Sequence, residues 1–273
     1  MNAIFVANKP SGLSSNQFLS RLKRKYGEKK AGYSGTLDPF ASGCLIVAFG
    51  SYTKFFQFLE KSPKIYEATM WLGANSESGD NENISKVTLL KPFANESLEI
   101  VRKGLLGIVS YTPPKFSAKN IDGIRAYKLA RNGYEFELKT QTMQVFSCDI
   151  TNYCHPFLSF RISVSEGGYI RSYAKLFAQK LGVDATLSAL KRVSEGEFKF
   201  ENERFLGIDE VLKLPENEYL GDISDIMDGK KIDTTKLKND KNGIYLLKYD
   251  KFITIIKIEN KMVSYCLNKV EKC

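Results

Sequence analysis

Apolar positions in this chain recur in two ways: in short runs or strict alternation, and at spacings of three to four, the marks of strands interleaved with amphipathic helices. Residues 3–7 and 44–49 are unbroken apolar runs of strand length. Tyr66, Ala68, Met70 and Leu72 alternate with Glu67, Thr69 and Trp71, and Phe160, Ile162 and Val164 alternate likewise, which predicts half-buried strands. Phe18, Leu19, Leu22 and Tyr26 form a helical stripe that Ser14 or Ser15 can cap and Gly27 can end. A short helix is expected over 98–106, and another with Tyr173, Leu176, Phe177 and Leu181 on one face, ending at Gly182. Residues 75–83 read as a polar loop. Composition shifts after about Gly221, and the apolar runs 244–247, 252–256 and 262–267, parted by two polar turns, predict a three-stranded meander. Such a meander is too small to stand alone, so it is expected to pack as a β unit (222–273) on a larger domain (1–221).

Residues 32–50, GYSGTLDPFASGCLIVAFG, combine glycines, one carboxylate and one proline with an apolar strand. Pro39 fixes its own φ and pushes Asp38 out of the α region, so the Asp38 carboxylate stands on a backbone with few alternatives. Asp-Pro is also an ordinary turn dipeptide, and the local pattern admits both a turn and a catalytic carboxylate. Arg171 falls where a strand, a Ser165-Glu166-Gly167-Gly168 turn and Tyr169 give way to a helix.

The 273 residues, 43% hydrophobic and 26% charged, describe an ordinary globular chain. No basic leader with an apolar segment opens it and no 18-residue apolar run crosses it, so a cytoplasmic protein without membrane contact is expected. Cys44, Cys148, Cys154, Cys266 and Cys273 show no CxxC spacing; with His155 the single histidine, Cys148 and Cys154 lack a fourth ligand, and no metal site is expected. The net charge of +9 points either to a polyanionic partner or to a lysine-rich solvated surface. Clustering favours the partner: Arg21, Lys23, Arg24, Lys25, Lys29 and Lys30 face only Glu28 just before the central loop. Over 112–138, Lys115, Lys119, Arg125, Lys128 and Arg131 are interleaved with Phe116, Tyr127 and Tyr134, with Tyr111 just ahead. That mixture suits either a surface that neutralises phosphates and stacks bases or a solvated helix hairpin whose tyrosines are core. Phosphate-loop, dinucleotide and GxSxG signatures are absent, which leaves carboxylates, tyrosines and arginines, a set suited to chemistry at a glycosidic carbon.

Five motifs then carry a resemblance. Asn8-Lys9-Pro10-Ser11-Gly12-Leu13-Ser14-Ser15, the GTLDPxASG of the central loop, Lys64-Ile65-Tyr66 leading to Leu72-Gly73, Pro113-Pro114-Lys115-Phe116-Ser117-Ala118 with Arg125-Ala126-Tyr127 and Ala130-Arg131-Asn132-Gly133, and Gly168-Tyr169-Ile170-Arg171 stand in the order found in the TruB family of tRNA pseudouridine-55 synthases. The chain resembles that family from about Lys9 to Phe198. The resemblance implies the pseudouridine synthase fold, an α+β fold with a mixed and largely antiparallel sheet and a central cleft, and conversion of uridine to pseudouridine in the TΨC loop of tRNA without cofactor or metal. It implies Asp38 as the essential catalytic aspartate, Tyr66 stacked on the target base, Arg171 paired with Asp38, Lys9, Tyr33 and Tyr169 supporting the substrate pocket, and Leu190 lining it. Segment 112–138 would grip RNA and the C-terminal unit would be a reduced PUA-like module. Candidates for the RNA backbone are Arg21, Lys23, Arg24, Lys115, Lys119, Arg125 and Arg131.

The chain departs from the family pattern at Tyr33, where many members have histidine, at Glu166 and Gly168, where lysine and threonine are usual, and at Asn120, where lysine is common. A binding or tRNA-folding module whose cleft opens the tRNA elbow, and a synthase for another RNA, are the alternative readings. A monomer acting on the T arm and elbow is expected.

Overall fold

The computed structural model describes residues 1–117 and 119–272; Ala118 and Cys273 lie outside the described residues. β1 (Ala3–Lys9) is buried at every position but Asn8. α1 (Ser15–Tyr26) opens on a capping box: the Gln17 N–H donates to Ser14 Oγ while the Ser14 N–H donates to Gln17 Oε1. Gly27, at φ 68°, ends the helix in the left-handed conformation. β2 (Ala31–Ser34) and β3 (Ser42–Phe49) flank the loop that carries Asp38, and a 3₁₀ stretch, Gly50–Phe58, leads to the alternating β4 (Lys64–Leu72).

β5 (Ala74–Ser76) and β6 (Ile84–Val87) pair across the segment expected to be only a polar loop. α2 (Asn95–Lys103) begins before the expected position, because its first turn, Asn95 to Ser97, is polar and leaves no mark in hydrophobic spacing. β7 (Gly107–Tyr111) is followed by a miniature hairpin, β8 (Asn120–Ile121) with β9 (Ile124–Arg125), and by the single-turn α3 (Ala126–Arg131). Residues 112–138 are therefore not a helix hairpin. Tyr111 is core, at 3% exposure, and offers no stacking face to a partner.

β10 (Gln141–Cys154), β11 (Phe157–Val164), α4 (Ile170–Lys180), β12 (Ala185–Glu195) and β13 (Phe198–Lys199) complete the main body. Its sheet runs β1-β3-β12-β4-β11-β10-β7, with β2 added on β3 and β13 on β12. All pairings are antiparallel except β3 with β12, so the sheet is mixed and largely antiparallel, in an α+β fold. The parallel contact sets Arg192 opposite Gly43, beside the central loop. α2 and α4 close one apolar core over β4, β10, β11 and β12, and α1 closes another over β1 and β3.

After α5 (Ile208–Val211), β14 (Glu216–Asn217) and α6 (Ile223–Met227), the expected meander appears as β15 (Gly243–Lys248), β16 (Phe252–Glu259) and β17 (Met262–Glu271). β14 adds a fourth, parallel strand, too short and polar to be legible in the sequence. The unit is not free-standing: Leu246, Ile253, Ile255, Leu267 and Val270 share a core with Ile4, Val6 and Ile46 of the main sheet.

The β3–β12 contact needs glycine. At Gly43, φ is 106° and a Cβ would fall 2.2 Å from the Arg192 carbonyl oxygen; at Gly12, φ is 86° with open space around the same position. Gly12→Ala is expected to cost roughly 1 kcal/mol from backbone strain, and Gly43→Ala about 3 kcal/mol or more because backbone must also move. Urea denaturation of the two variants checks the difference, and equal losses would contradict it.

Candidate active site

The segment between β2 and β3 has no regular hydrogen-bonding pattern of its own, and the chain supplies partners from outside. The Gly12 N–H donates to the Pro39 carbonyl at 2.8 Å, Ser11 Oγ to the Phe40 carbonyl at 2.7 Å, and Ser15 Oγ both donates to the Leu37 carbonyl and accepts from the Leu37 N–H at 3.0 Å. Lys9 Nζ reaches the carbonyls of Pro10 at 2.9 Å, Leu13 at 2.5 Å and Pro39 at 3.4 Å. Lys9 was expected to support the substrate pocket. It is fully buried behind the loop and touches neither hollow of the cleft, because its ammonium is consumed by these carbonyls. Burial pulls its pKa down to about 8, against the pull of Asp38.

Asp38 projects from this clamped loop toward Arg171, in the first turn of α4, with Arg171 Nη2 2.9 Å from Asp38 Oδ2. Arg171 Nη1 lies 3.3 Å from Asp80 Oδ2 and donates to the Ser78 carbonyl at 2.7 Å, and Nη2 also donates to the Phe116 carbonyl at 2.9 Å. One guanidinium thus ties together the central loop, the β5–β6 turn and the 112–138 segment. Asp80 was not anticipated; it lay in a stretch whose Ser, Asn, Asp and Glu content reads as any solvated turn. The Asp38 side chain keeps 30% exposure, opening on the cleft. Burial nonetheless raises its pKa, with Asp80 adding to the effect and Arg171 and Lys9 opposing it.

The cleft has two hollows that meet at Asp38 and Arg171. One, of about 330 Å³, is walled by Tyr66, Leu190, Tyr169, Lys64, Arg192 and the Gly167–Gly168 turn. The other, of about 490 Å³, holds Tyr33, Ser14, Asp80, Tyr127, Arg125 and Arg131. Tyr33 and Tyr66 therefore line different hollows, both of which include Asp38.

Behind the first hollow, β4 and β12 set Lys64 opposite Glu195 and Tyr66 opposite Arg192. Arg192 donates from Nε to the Cys44 carbonyl at 2.8 Å and from Nη2 to the Gly35 carbonyl at 2.9 Å; Nη2 also lies 2.8 Å from Glu195 Oε1. Lys64 Nζ lies 2.9 Å from Glu195 Oε2. The buried Tyr66 hydroxyl faces Arg192, and desolvation raises its pKa. None of Lys64, Arg192 and Glu195 was given a role by the sequence reading, since their partnership depends on strand register.

Of the basic candidates, Lys119, Arg125 and Arg131 reach the cleft; the Lys119 ammonium stands 5.9 Å from the Tyr169 ring centre and the Arg131 guanidinium 5.7 Å from that of Tyr127. Lys115 is exposed and lines neither hollow. Arg21, Lys23 and Arg24 ride the C-terminal half of α1, whose N-terminus borders the cleft, roughly 10 to 15 Å away at the helical rise. Glu166 pairs with Lys61 at 3.2 Å, and Asn120 is exposed on the miniature hairpin. A Cβ at Gly168 would come 3.2 Å from Val164 Cγ2 and 3.3 Å from Met143 Sδ, so this wall is packed tightly for a larger side chain. Cys148 is buried, Cys154 exposed, and His155 is engaged by the Tyr153 hydroxyl and the Leu90 carbonyl. Among the described residues no helix is long and apolar enough to cross a membrane.

The model of the TruB family pseudouridylate synthase N-terminal domain matches residues 23–170. A protein of Campylobacter curvus named tRNA pseudouridine synthase B is 72% identical over 273 residues, covering 100% of both chains. One of the same name from Sulfurimonas denitrificans is 47% identical, covering 99% of this chain and 100% of its own. Among solved structures, a chain of a Cbf5-Nop10-Gar1 complex aligns with a TM-score of 0.68 at 18% identity, over 99% of this chain and 84% of that one. An archaeal box H/ACA sRNP Nop10-Cbf5 complex gives 0.67 at 18%, over 98% and 85%. These two likenesses carry the fold.

A carboxyl whose folded pKa lies above its unfolded value destabilises the folded state when ionised, and that cost disappears as pH falls through the folded value. Asp38→Asn is therefore expected to melt at or above the wild-type temperature at pH 7, with Arg171 still held by Asp80. The gap should narrow on acidification as the wild-type carboxyl takes up its proton. Thermal melts of both proteins from pH 8 down into the ordinary carboxylate range check this; a variant less stable at pH 7 would contradict it.

Proposed function

The chain belongs to the TruB family of pseudouridylate synthases, and on that footing we propose that it converts uridine to pseudouridine in tRNA, at position 55 of the TΨC loop, with Asp38 as the essential carboxylate. The observation that carries this reading is the placement of Asp38, held by Arg171 at the edge of a 330 Å³ hollow walled by Tyr66, Leu190 and Tyr169. A hollow of that size suits one nucleoside. A uridine extruded from its loop loses stacking, and an aromatic face restores roughly 1 to 3 kcal/mol of it; Tyr66 supplies that face and Leu190 an apolar wall beside it.

In this reading the C1′–N1 bond breaks, the uracil turns while bound, and C5 joins C1′; the C5 proton leaves and N1 gains one, so the product is an isomer and no cofactor enters. Asp38 opens the sequence either by attacking C1′ or by taking a sugar proton, and both need the carboxylate. Arg171 fixes its direction and favours its charge. Since burial raises the Asp38 pKa, the acid limb of the rate profile is expected above the ordinary carboxylate range. Lys119, Arg125 and Arg131 beside the cleft and the basic end of α1 would hold phosphates of the T arm and elbow. Residues 1–221 would form the catalytic unit, 112–138 the gripping segment, and 222–273 a reduced PUA-like unit, in a cytoplasmic monomer.

Asp38→Asn is expected to release no tritium from tRNA labelled at uridine C5 while binding tRNA nearly as wild type does. Filter binding over a salt series should give the same slope for both, about −0.9 per neutralised phosphate in duplex regions. Wild-type tritium release by the variant would make Asp38 a turn residue and the protein a candidate RNA-folding module.

Tyr66→Leu is expected to lose more activity than Tyr66→Phe, since phenylalanine keeps the aromatic face and gives up only the hydroxyl near Arg192. Equal, wild-type turnover by both folded variants would remove the stacking role.

A further inference from the structure

The wall behind Tyr66 holds two cations and one anion. Lys64 and Arg192 both line the 330 Å³ hollow, and both are paired with Glu195, which is fully buried. The three charged ends converge on Gly35, where a Cβ would meet Glu195 Oε2 at 3.0 Å, Lys64 Nζ at 3.1 Å and Arg192 Nη1 at 3.2 Å. They do not have equal access to the hollow. The Arg192 side chain is 1% exposed and anchored to the Gly35 and Cys44 carbonyls, whereas Lys64 is 8% exposed and its ammonium is held by Glu195. An apolar wall would pack a neutral pyrimidine equally well, and a buried ammonium carries a desolvation cost that packing alone does not require.

Breaking C1′–N1 creates the need for such a charge. The bonding pair leaves with N1, so the detached ring carries one negative charge spread over N1 and its carbonyl oxygens. C1′ receives a replacement pair, from an Asp38 oxygen if it attacks or from a C–H bond of the sugar whose proton Asp38 takes. In either course the ring is an anion while it turns, until C5 bonds to C1′. We propose that the Lys64 ammonium is a catalytic residue of this step, contacting a carbonyl oxygen of the detached pyrimidine and stabilising its charge, with Glu195 and Arg192 positioning it. This inference rests on the reading of the protein as a pseudouridine synthase. A cation preorganised in a water-poor site is worth far more to a developing anion than to the neutral base, so its effect falls on the rate of bond breaking more than on binding.

The experiment compares wild type, Lys64→Gln and the double variant Lys64→Gln, Glu195→Gln in single turnover at saturating enzyme, on tRNA carrying uridine and on tRNA carrying 5-fluorouridine at the target position. The target nucleoside carries a ¹⁴C label, and its loss is read by chromatography after nuclease digestion, which separates uridine from its equal-mass isomer. The double variant removes the carboxylate that Lys64→Gln leaves half-paired, so a folded protein without the ammonium is available if the single variant unfolds. Loss of the ammonium is expected to slow uridine turnover on the order of 10²-fold, with tRNA affinity within about threefold of wild type. Fluorine withdraws electrons and makes the detached ring a weaker base, so the defect should shrink severalfold on the fluorinated substrate. Wild-type rate in either folded variant overturns the proposal, as does an equal defect on both substrates, which would mean that Lys64 only shapes the site. If wild-type protein forms no pseudouridine in tRNA, the parent reading fails and this one with it; a working wild type beside an unimpaired variant removes Lys64 alone.

Discussion

Arg171 is 4% exposed and stands between two carboxylates that come from segments far apart in the chain. A guanidinium cannot shed its charge in a protein, so once α4 packs with Arg171 inward, carboxylates and carbonyls must be brought to it. Asp38, Asp80 and the carbonyls of Ser78 and Phe116 meet that demand. Three segments outside the main sheet are thereby fixed to one helix. Leaving such a buried charge with neither carboxylate costs roughly 3 to 5 kcal/mol, which makes it a strong constraint on where these segments can lie.

The same economy governs the loop of Asp38. Its backbone groups are satisfied by Ser11, Gly12, Ser15 and the buried Lys9, so the apparently separate N-terminal motif and central loop are one structural unit. On the other side Arg192 grips Gly35, at the loop's start, and the Cys44 carbonyl, just beyond its end. The carboxylate is held from both sides and still has a raised pKa, so the clamps set its position without fully compensating its charge. A group left short of compensation gains most from a substrate that completes its surroundings, a cost in stability often borne at catalytic sites.

Local rules made much of this legible. The Ser14 cap, the Gly27 stop, the alternation of β4 and the C-terminal meander each follow from neighbours within a few residues. Asp38, Tyr66 and Arg171 were marked by motifs, and the geometry brings all three to one hollow. Register and distance hid the rest. Asp80 finds Arg171 across 91 residues, and Glu195 finds Lys64 only because β4 and β12 pair with a bulge between Arg192 and Ser194. β10 and β12 are long strands whose bulges break the alternation that reveals β4. Lys9 was given its place in the pocket by the resemblance alone, and in the fold its ammonium is directed to three backbone carbonyls.

On the proposed function, an anionic catalytic group that serves a polyanion would face an electrostatic conflict, and the distribution of charge would resolve it. Asp38 and Asp80 lie against Arg171, with the Lys9 charge close enough to lower the Asp38 pKa, so the centre of the cleft presents little net charge to approaching phosphates. Part of the excess of the +9 chain lies on Lys119, Arg125 and Arg131 at the rim and on the far half of α1. Charges on the exposed rim are screened within about 8 Å at physiological ionic strength, whereas those at the partly buried centre are screened much less. On that reading salt would loosen the grip on a nucleic acid without loosening the hold on Asp38, and binding and chemistry would answer to different parts of the same charge set.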